Sequence, residues 1–437
     1  MKRACISLPA LALAALMGSE SVNAQGPRAT LGAPIETRVE DSRTLNGSPA
    51  ERVLTNRPQA TGTAVQLIGQ KSQPVREEQP AVRVMLDQLQ TPVEFLSARA
   101  SYLHWWTRGQ SLPALVTTSP NRTAQASAGV IGAPGTQVVV GNERFNDEPR
   151  SGGRFSLIFW RDPAQSLGVE ADFLFLVASD THFNAASTGD PILARPIFNA
   201  LTGKQDSILT AYPGLVTGGI RVVSSTGTLY GGELNLRSNI MRSDYRRLDI
   251  VVGYRFLGIS DRVNVFDTEI DAQTLDRVDV VDRFRSESQF HGGQVGVVAE
   301  WRRGRYHVDF TGKVALGGTS NSVDIDGVSR FNDAAPVPGG VLAVQSNIGQ
   351  FRSSRFAVLP EVGISAGYHV TSGLRVFASY TFIYLTDVTR AAEQINLTIN
   401  PNQLPPVVPG GPAQPAFQFH YSDYWAHGLQ LGMELRF

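Results

Sequence analysis

At 437 residues, with 39 Lys and Arg against 39 Asp and Glu, the chain carries no net charge, which argues against the overall electrostatic attraction that nucleic-acid binders use. Its hydrophobic fraction of 42% and mean hydropathy of -0.10 include, after the first two dozen residues, no run near the roughly 20 apolar residues that a membrane helix requires, so a helical membrane protein is excluded. A membrane β-barrel is compatible with these values, because only alternate strand residues face lipid.

In chain order, Lys2 and Arg3, an apolar stretch from Ala4 to Met17, and Val22-Asn23-Ala24 before Gln25 form the pattern of a secretory signal, so residues 1–24 are expected to be a signal peptide. The single cysteine, Cys5, lies inside it, leaving a mature chain without disulfide or thiolate chemistry. Residues 25–92, rich in Gln, Arg, Thr, Pro and Gly without apolar periodicity, predict a disordered or weakly ordered periplasmic extension, with at most a short helix over Ala81 to Leu89.

From residue 93 to residue 437 the pattern becomes the period-2 alternation of strands. Between Ser166 and Val177, Leu167, Val169, Ala171, Phe173 and Phe175 share one face; between Arg247 and Phe256, Leu248, Ile250, Val252, Tyr254 and Phe256 do. Tyr306, Val308, Phe310, Val314 and Leu316 oppose His307, Asp309, Thr311 and Lys313. Seven further segments alternate in the same way: Glu94 to Trp106, Gly152 to Arg161, Thr228 to Asn239, Phe290 to Trp301, Phe356 to Tyr368, Leu374 to Tyr384 and Tyr424 to Phe437. Short links at Asp162 to Gln165, Met241 to Asp244, Arg302 to Gly304 and Val370 to Gly373 alternate with long links at 107–151, 178–227, 257–289, 317–355 and 385–423.

An all-β fold follows: a transmembrane antiparallel up-and-down barrel of about ten strands, with short periplasmic turns and long external loops. Twelve strands is the alternative, if Asp261 to Glu269 and Ser320 to Arg330 form strands of their own. The last segment ends on Phe437, an aromatic carboxyl terminus that resembles the signal read by the barrel assembly machinery. Outer-membrane lipid and that machinery are the expected partners. The sequence does not specify an oligomeric state.

Tyr102-Leu103-His104-Trp105-Trp106-Thr107-Arg108-Gly109, followed by Leu112-Pro113 and Leu115 to Pro120, resembles the opening of planctomycete beta-barrel porin family seven; Leu167 to Glu170 and Leu193-Ala194-Arg195-Pro196 are similar to it too. The resemblance covers about Glu94 to Phe437 and implies an outer-membrane barrel, without implying a solute.

Charged side chains on the polar faces cannot face lipid cheaply, so they are expected to line the lumen: Arg99, Glu170, Asp172, Glu233, Arg237, Arg247, Asp249, Arg255, Glu300, Asp309, Lys313, Glu361, Arg375, Glu434 and Arg436. Tyr102, Trp105, Trp106, Trp160, Tyr254, Trp301, Tyr384 and Trp425, near strand ends, are expected to form interfacial girdles.

Catalytic signatures are weak. Gly363-Ile364-Ser365-Ala366-Gly367 matches a nucleophile elbow but lies within an alternating strand with no helix after it, and His307 with Asp309 supplies no nucleophile, so no enzyme activity is expected. Asp324-Ile325-Asp326-Gly327 and Asp276 to Asp282 lack a full calcium-ligand pattern, and no metal or cofactor is expected. The balanced signs on the lumen face favour a porin-like passive channel for small polar solutes with weak charge selectivity. The alternative is a non-conducting structural or surface-interaction barrel acting through its external loops.

Overall fold

A computed structural model describes residues 95–437. The expected signal peptide (1–24), the expected extension (25–92) and the helix expected at most over Ala81 to Leu89 fall outside the described residues.

Ten antiparallel strands close into a ring. In chain order they are β1 (Leu96–Thr107), β2 (Arg150–Trp160), β3 (Leu167–Leu176), β4 (Leu229–Arg242), β5 (Arg246–Asp271), β6 (Arg277–Arg303), β7 (Tyr306–Phe331), β8 (Gly349–His369), β9 (Leu374–Thr389) and β10 (Tyr421–Arg436). Each pairs with its neighbours in sequence, and β10 returns to pair with β1, from Ser97 against Arg436 to Thr107 against Ala426. The ten-strand up-and-down reading holds.

The outward faces of the lower halves form an apolar belt. Leu234, Leu236, Val252, Val295, Leu316, Leu429 and Leu431 are all more than half exposed, a state that water would penalise and a bilayer would not. The connections at one end are tight. In the link from β2 to β3, the Asp162 carboxylate accepts the Ser166 amide (3.1 Å) and hydroxyl (2.6 Å). Gly304, in the link from β6 to β7, has φ +61°, which a side chain would strain.

Two expected loops are mostly strand. β5 and β6 run on to Asp271 and from Arg277, leaving 272–276 as their link, and β7 continues to Phe331. Asp261 to Glu269 and Ser320 to Arg330 therefore extend existing strands, and Asp324 to Gly327 lies inside β7 rather than in a loop. The cause is a change of phase. On β5 the apolar residues from Leu248 to Phe256 are even-numbered and lipid-facing except for the buried Val251, then odd-numbered and inward-facing at Leu257, Ile259, Val263 and Val265, each of them buried.

Beyond the belt these extensions and the long links build a folded cap. Val216–Thr226 pairs with the outer half of β5, and Ser179–Ser187 pairs with Val216–Thr226 in turn. A second sheet, in the order Lys204–Ala211, Ile192–Asn199, Val116–Ser119, Gln137–Val140, draws Thr398–Ile399 alongside Ile192–Asn199. One apolar cluster takes residues from the links and from the strands, including Leu115, Val140, Ile220, Val265, Phe284, Ile325, Leu342, Ala392 and Ile399.

Candidate functional site

The alternation that sends leucine and valine to lipid sends the charges inward, where they stack in tiers. Nearest the short turns, Arg375 is 1% exposed and takes Asp309 (2.9 Å), Glu300 (3.4 Å) and Glu434 (3.5 Å), while its Nε donates to His307 Nε2 (2.8 Å). Arg99 and Arg436 each hold Glu434 at 2.7 Å. Beside them Arg237 bridges Glu170 and Asp249, both at 2.7 Å, and Arg247 reaches Asp249 at 2.9 Å. Both guanidiniums lie over the Trp160 ring, at 5.7 and 4.2 Å from its centroid.

The next tier fills the middle of the lumen. Lys313 Nζ contacts Glu233 (2.7 Å) and Glu170 (3.2 Å); Arg154 contacts Asp172 (2.5 Å), Glu361 (3.3 Å) and Glu233 (3.6 Å); Arg255 joins Glu233 (3.2 Å) and Glu361. Gln294 donates to Glu233 (2.8 Å) and Asn235 (2.6 Å). None of these seven charged residues is more than 7% exposed. Pairing and hydrogen bonding are what such burial demands, since an isolated ion there would lose its hydration without return. There is little slack: a Cβ at Gly367 would collide with the His307 ring. At the short-turn mouth a cavity of about 30 Å³ is lined by Arg99, Trp160, Arg237 and Glu434 among others.

An apolar layer roofs the ions. At the inward position following each ion, Leu174 succeeds Asp172, Leu257 succeeds Arg255, Ala315 succeeds Lys313 and Leu359 precedes Glu361. With Leu103, Trp105, Phe290, Ile383 and Tyr424 they form one buried cluster drawn from every barrel strand but β2. Above it Arg390 pairs with Asp261, and Arg150 donates to the carbonyls of Val177 (2.9 Å) and Gly227 (2.6 Å).

In the cap, Asp282 is wholly buried; one oxygen accepts the amides of Val341, Leu342 and Ala343 at 2.9 to 3.0 Å and the other takes Arg195 (2.6 Å). Burial pushes Asp267 up to about 6, although Arg195 and the Thr210 hydroxyl (2.9 Å) oppose it. Burial, reinforced by Asp267, pushes Glu269 up to about 8. Both lie well beyond the lipid-facing stretch of β5. Among the described residues no group of His, Cys, Asp and Glu is arranged to hold a metal ion.

A family model described as Putative beta barrel porin-7 matches residues 98–437. The chain belongs to that family. No curated protein matches the sequence. Among solved structures, this porin-7 chain is similar to the outer membrane protease OmpT of Escherichia coli (11% identity, 79% of this chain and 98% of that one, TM-score 0.41). It is also similar to a FadL homologue of Pseudomonas aeruginosa (7%, 78% and 89%, TM-score 0.21) and to the toluene transporter TodX of P. putida (7%, 78% and 90%, TM-score 0.14).

All fifteen charged residues expected on the lumen side lie on the inward face of the porin-7 barrel, and all fifteen enter the networks above. The girdle expectation needs two corrections. Trp105 is fully buried in the apolar roof and Trp160 is 4% exposed beneath two arginines, so both face inward. Parity carries the signal: Trp105 shares a face with Arg99, and Trp160 shares one with Arg154. Tyr102, Trp106, Tyr254, Trp301, Tyr384 and Trp425 stand on the outward face; Trp106 and Trp425 both stack on His427. Arg154 itself is the central residue that the sequence reading missed, because the two glycines before it blur the start of β2. Ser365 sits mid-strand in β8 and accepts a hydrogen bond from Ser379 (3.1 Å), with no elbow.

Proposed function

We propose that this porin-7 chain is an outer-membrane barrel whose lumen is closed at rest, and that it acts through the folded cap it holds outside the membrane, the short turns facing the periplasm. The observation that carries this reading is the ion tier of Arg154, Arg255 and Lys313 with Glu170, Asp172, Glu233 and Glu361, buried and roofed by an apolar layer. An aqueous channel would hydrate such side chains; here they neutralise one another. Ten strands lie between the roughly eight that side chains fill and the roughly 16 that leave a channel, so the contents of the lumen decide.

The second reading is the passive channel for small polar solutes with weak charge selectivity, which the family description favours. It requires the ion tier and its roof to part. The closed reading includes no catalytic step, since Ser365 lies in a strand and His307 meets Arg375 rather than a nucleophile. It takes lipid and, through the strand ending at Phe437, the assembly machinery as partners. The motifs around Tyr102 to Pro120 support a planctomycete source.

Single-channel recording on refolded protein in a planar bilayer, with a heat-denatured control, separates the two readings. Inserted barrels that give no conductance steps are expected. Steps of reproducible size, nearly indifferent to ion sign, would overturn the closed lumen and establish the channel.

A further inference from the structure

Two neighbouring short links hold an uneven share of arginine. The end of β4 and the start of β5 contain Arg242, Arg246 and Arg247, and the end of β6 with its link to β7 contains Arg302, Arg303 and Arg305, whereas the β8 to β9 link, Val370 to Gly373, has no charge. Four of the six are engaged: Arg242 with the Ala164 carbonyl (2.6 Å), Arg247 with Asp249, Arg302 with Glu300, and Arg305 with the Tyr368 hydroxyl (3.3 Å). Among the described residues, the guanidiniums of Arg246 and Arg303 have no acidic partner.

Their cross-strand partners are aromatic. Arg246 faces Trp301 and Arg303 faces Tyr306, on the outward surface of the sheet. Trp301 is 46% and Tyr306 68% exposed, and Val308, the next outward residue on β7, begins the lipid-facing belt. Tyr245, Arg246, Trp301, Arg303, Tyr306 and Val308 line a cavity of about 820 Å³ open to the outside of the barrel. It has cations at the level where the belt ends and an apolar wall below them.

We infer that this cavity is a headgroup site for an anionic phospholipid of the leaflet bordering the short turns, with Arg246 and Arg303 holding the phosphodiester and Trp301 and Tyr306 packing against the glycerol and upper acyl chains. Depth commits the occupant to lipid: the cations sit at the belt's edge, where a bilayer presents its phosphates, and a guanidinium fork matches phosphate oxygens. The inference rests on the barrel lying in a membrane and is independent of whether the lumen conducts.

The test uses full-length protein inserted in bilayers of equal parts phosphatidylglycerol and phosphatidylcholine, with the lipids retained on release counted by native mass spectrometry and insertion checked by heat-modifiable gel mobility. Wild type is expected to retain phosphatidylglycerol in preference. The double variant Arg246→Gln/Arg303→Gln should lose roughly fivefold of that preference per arginine, about twenty-five-fold together. The matched double variant Arg262→Gln/Arg285→Gln, at the far end, should keep it. Equal loss in both variants, or none in the first, would overturn the site. If the first variant does not insert, competition on wild type decides: glycerophosphate lipid displacing bound lipid while inorganic phosphate does not supports the site, and equal displacement by inorganic phosphate overturns the lipid assignment. Wild-type protein that never enters bilayers sinks this site together with the membrane reading.

Discussion

The lower barrel and the cap are built from the same strands and are inside-out relative to one another. Below, β5 buries Asp249 and Arg255 and shows Val252 to the outside; above, it buries Val263 and Val265 and shows Arg262. The backbone alternation never changes. What changes is the outer solvent, from lipid to water, and the side chains exchange faces accordingly. The lower interior is held by pairing, where removing one partner strands another; the cap is held by area, where losses scale with the methyl groups removed.

The largest expected break in this contrast is Glu233→Ala. It leaves Arg255 and Lys313 short of a shared counter-ion and should cost about 3–5 kcal/mol, read as a lower urea midpoint of the refolded barrel. Loss of less than about 1 kcal/mol would mean that water or movement already relieves the tier.

Next is an arginine placed on the outer face at two heights. Leu431→Arg, on a residue 66% exposed in the belt, should cost roughly 2–4 kcal/mol in a bilayer, whereas Ser320→Arg, on the exposed outer face of β7 beyond the belt, should stay within about 0.5 kcal/mol. Equal costs would misplace the membrane edge.

The smallest effect is the cap's response to pH. Glu269 is held protonated in the fold, with its pKa pushed up to about 8, while in the unfolded chain it ionises near 4.5. The unfolded state therefore sheds its proton first, so this contribution is full below about pH 4.5 and is lost as pH rises to about 8; Asp267 adds the same sign up to about 6. Proteolysis of the cap should quicken across that window, and Glu269→Gln should flatten the dependence. A cap that instead grew more resistant as pH rose would contradict the sign.

The lower barrel was legible because each of its strands divides lipid from an ion-paired interior, so that the outward Leu167 to Phe175 and the inward Glu170 and Asp172 separate cleanly by parity. The same reasoning stumbled where the outer solvent changes: at Phe256 to Leu257 the apolar phase shifts by one residue, which reads as the end of a strand although the pairing continues unbroken to Ile270 against Arg277. Trp105 beside Trp106 shows the other limit. Adjacent residues must face opposite ways, yet composition alone does not say which tryptophan meets lipid. The Asp282 cradle was out of reach, since its partners are the backbone amides of Val341 to Ala343, which no side-chain pattern announces.

The seam between β1 and β10 has a consequence in time. Every other pairing in the ring joins ring strands that succeed one another along the chain, several of them through tight turns that can zip locally, but Arg99 and Glu434 meet across 335 residues. Contacts of such separation are slow to form because the loop entropy is spent before they return anything. Until Phe437 exchanges its backbone hydrogen bonds with Leu96 (2.8 and 3.2 Å), the chain is an open sheet with two bare edges, exposed to pairing with other chains. The rate of that one closure sets how long each new molecule is vulnerable.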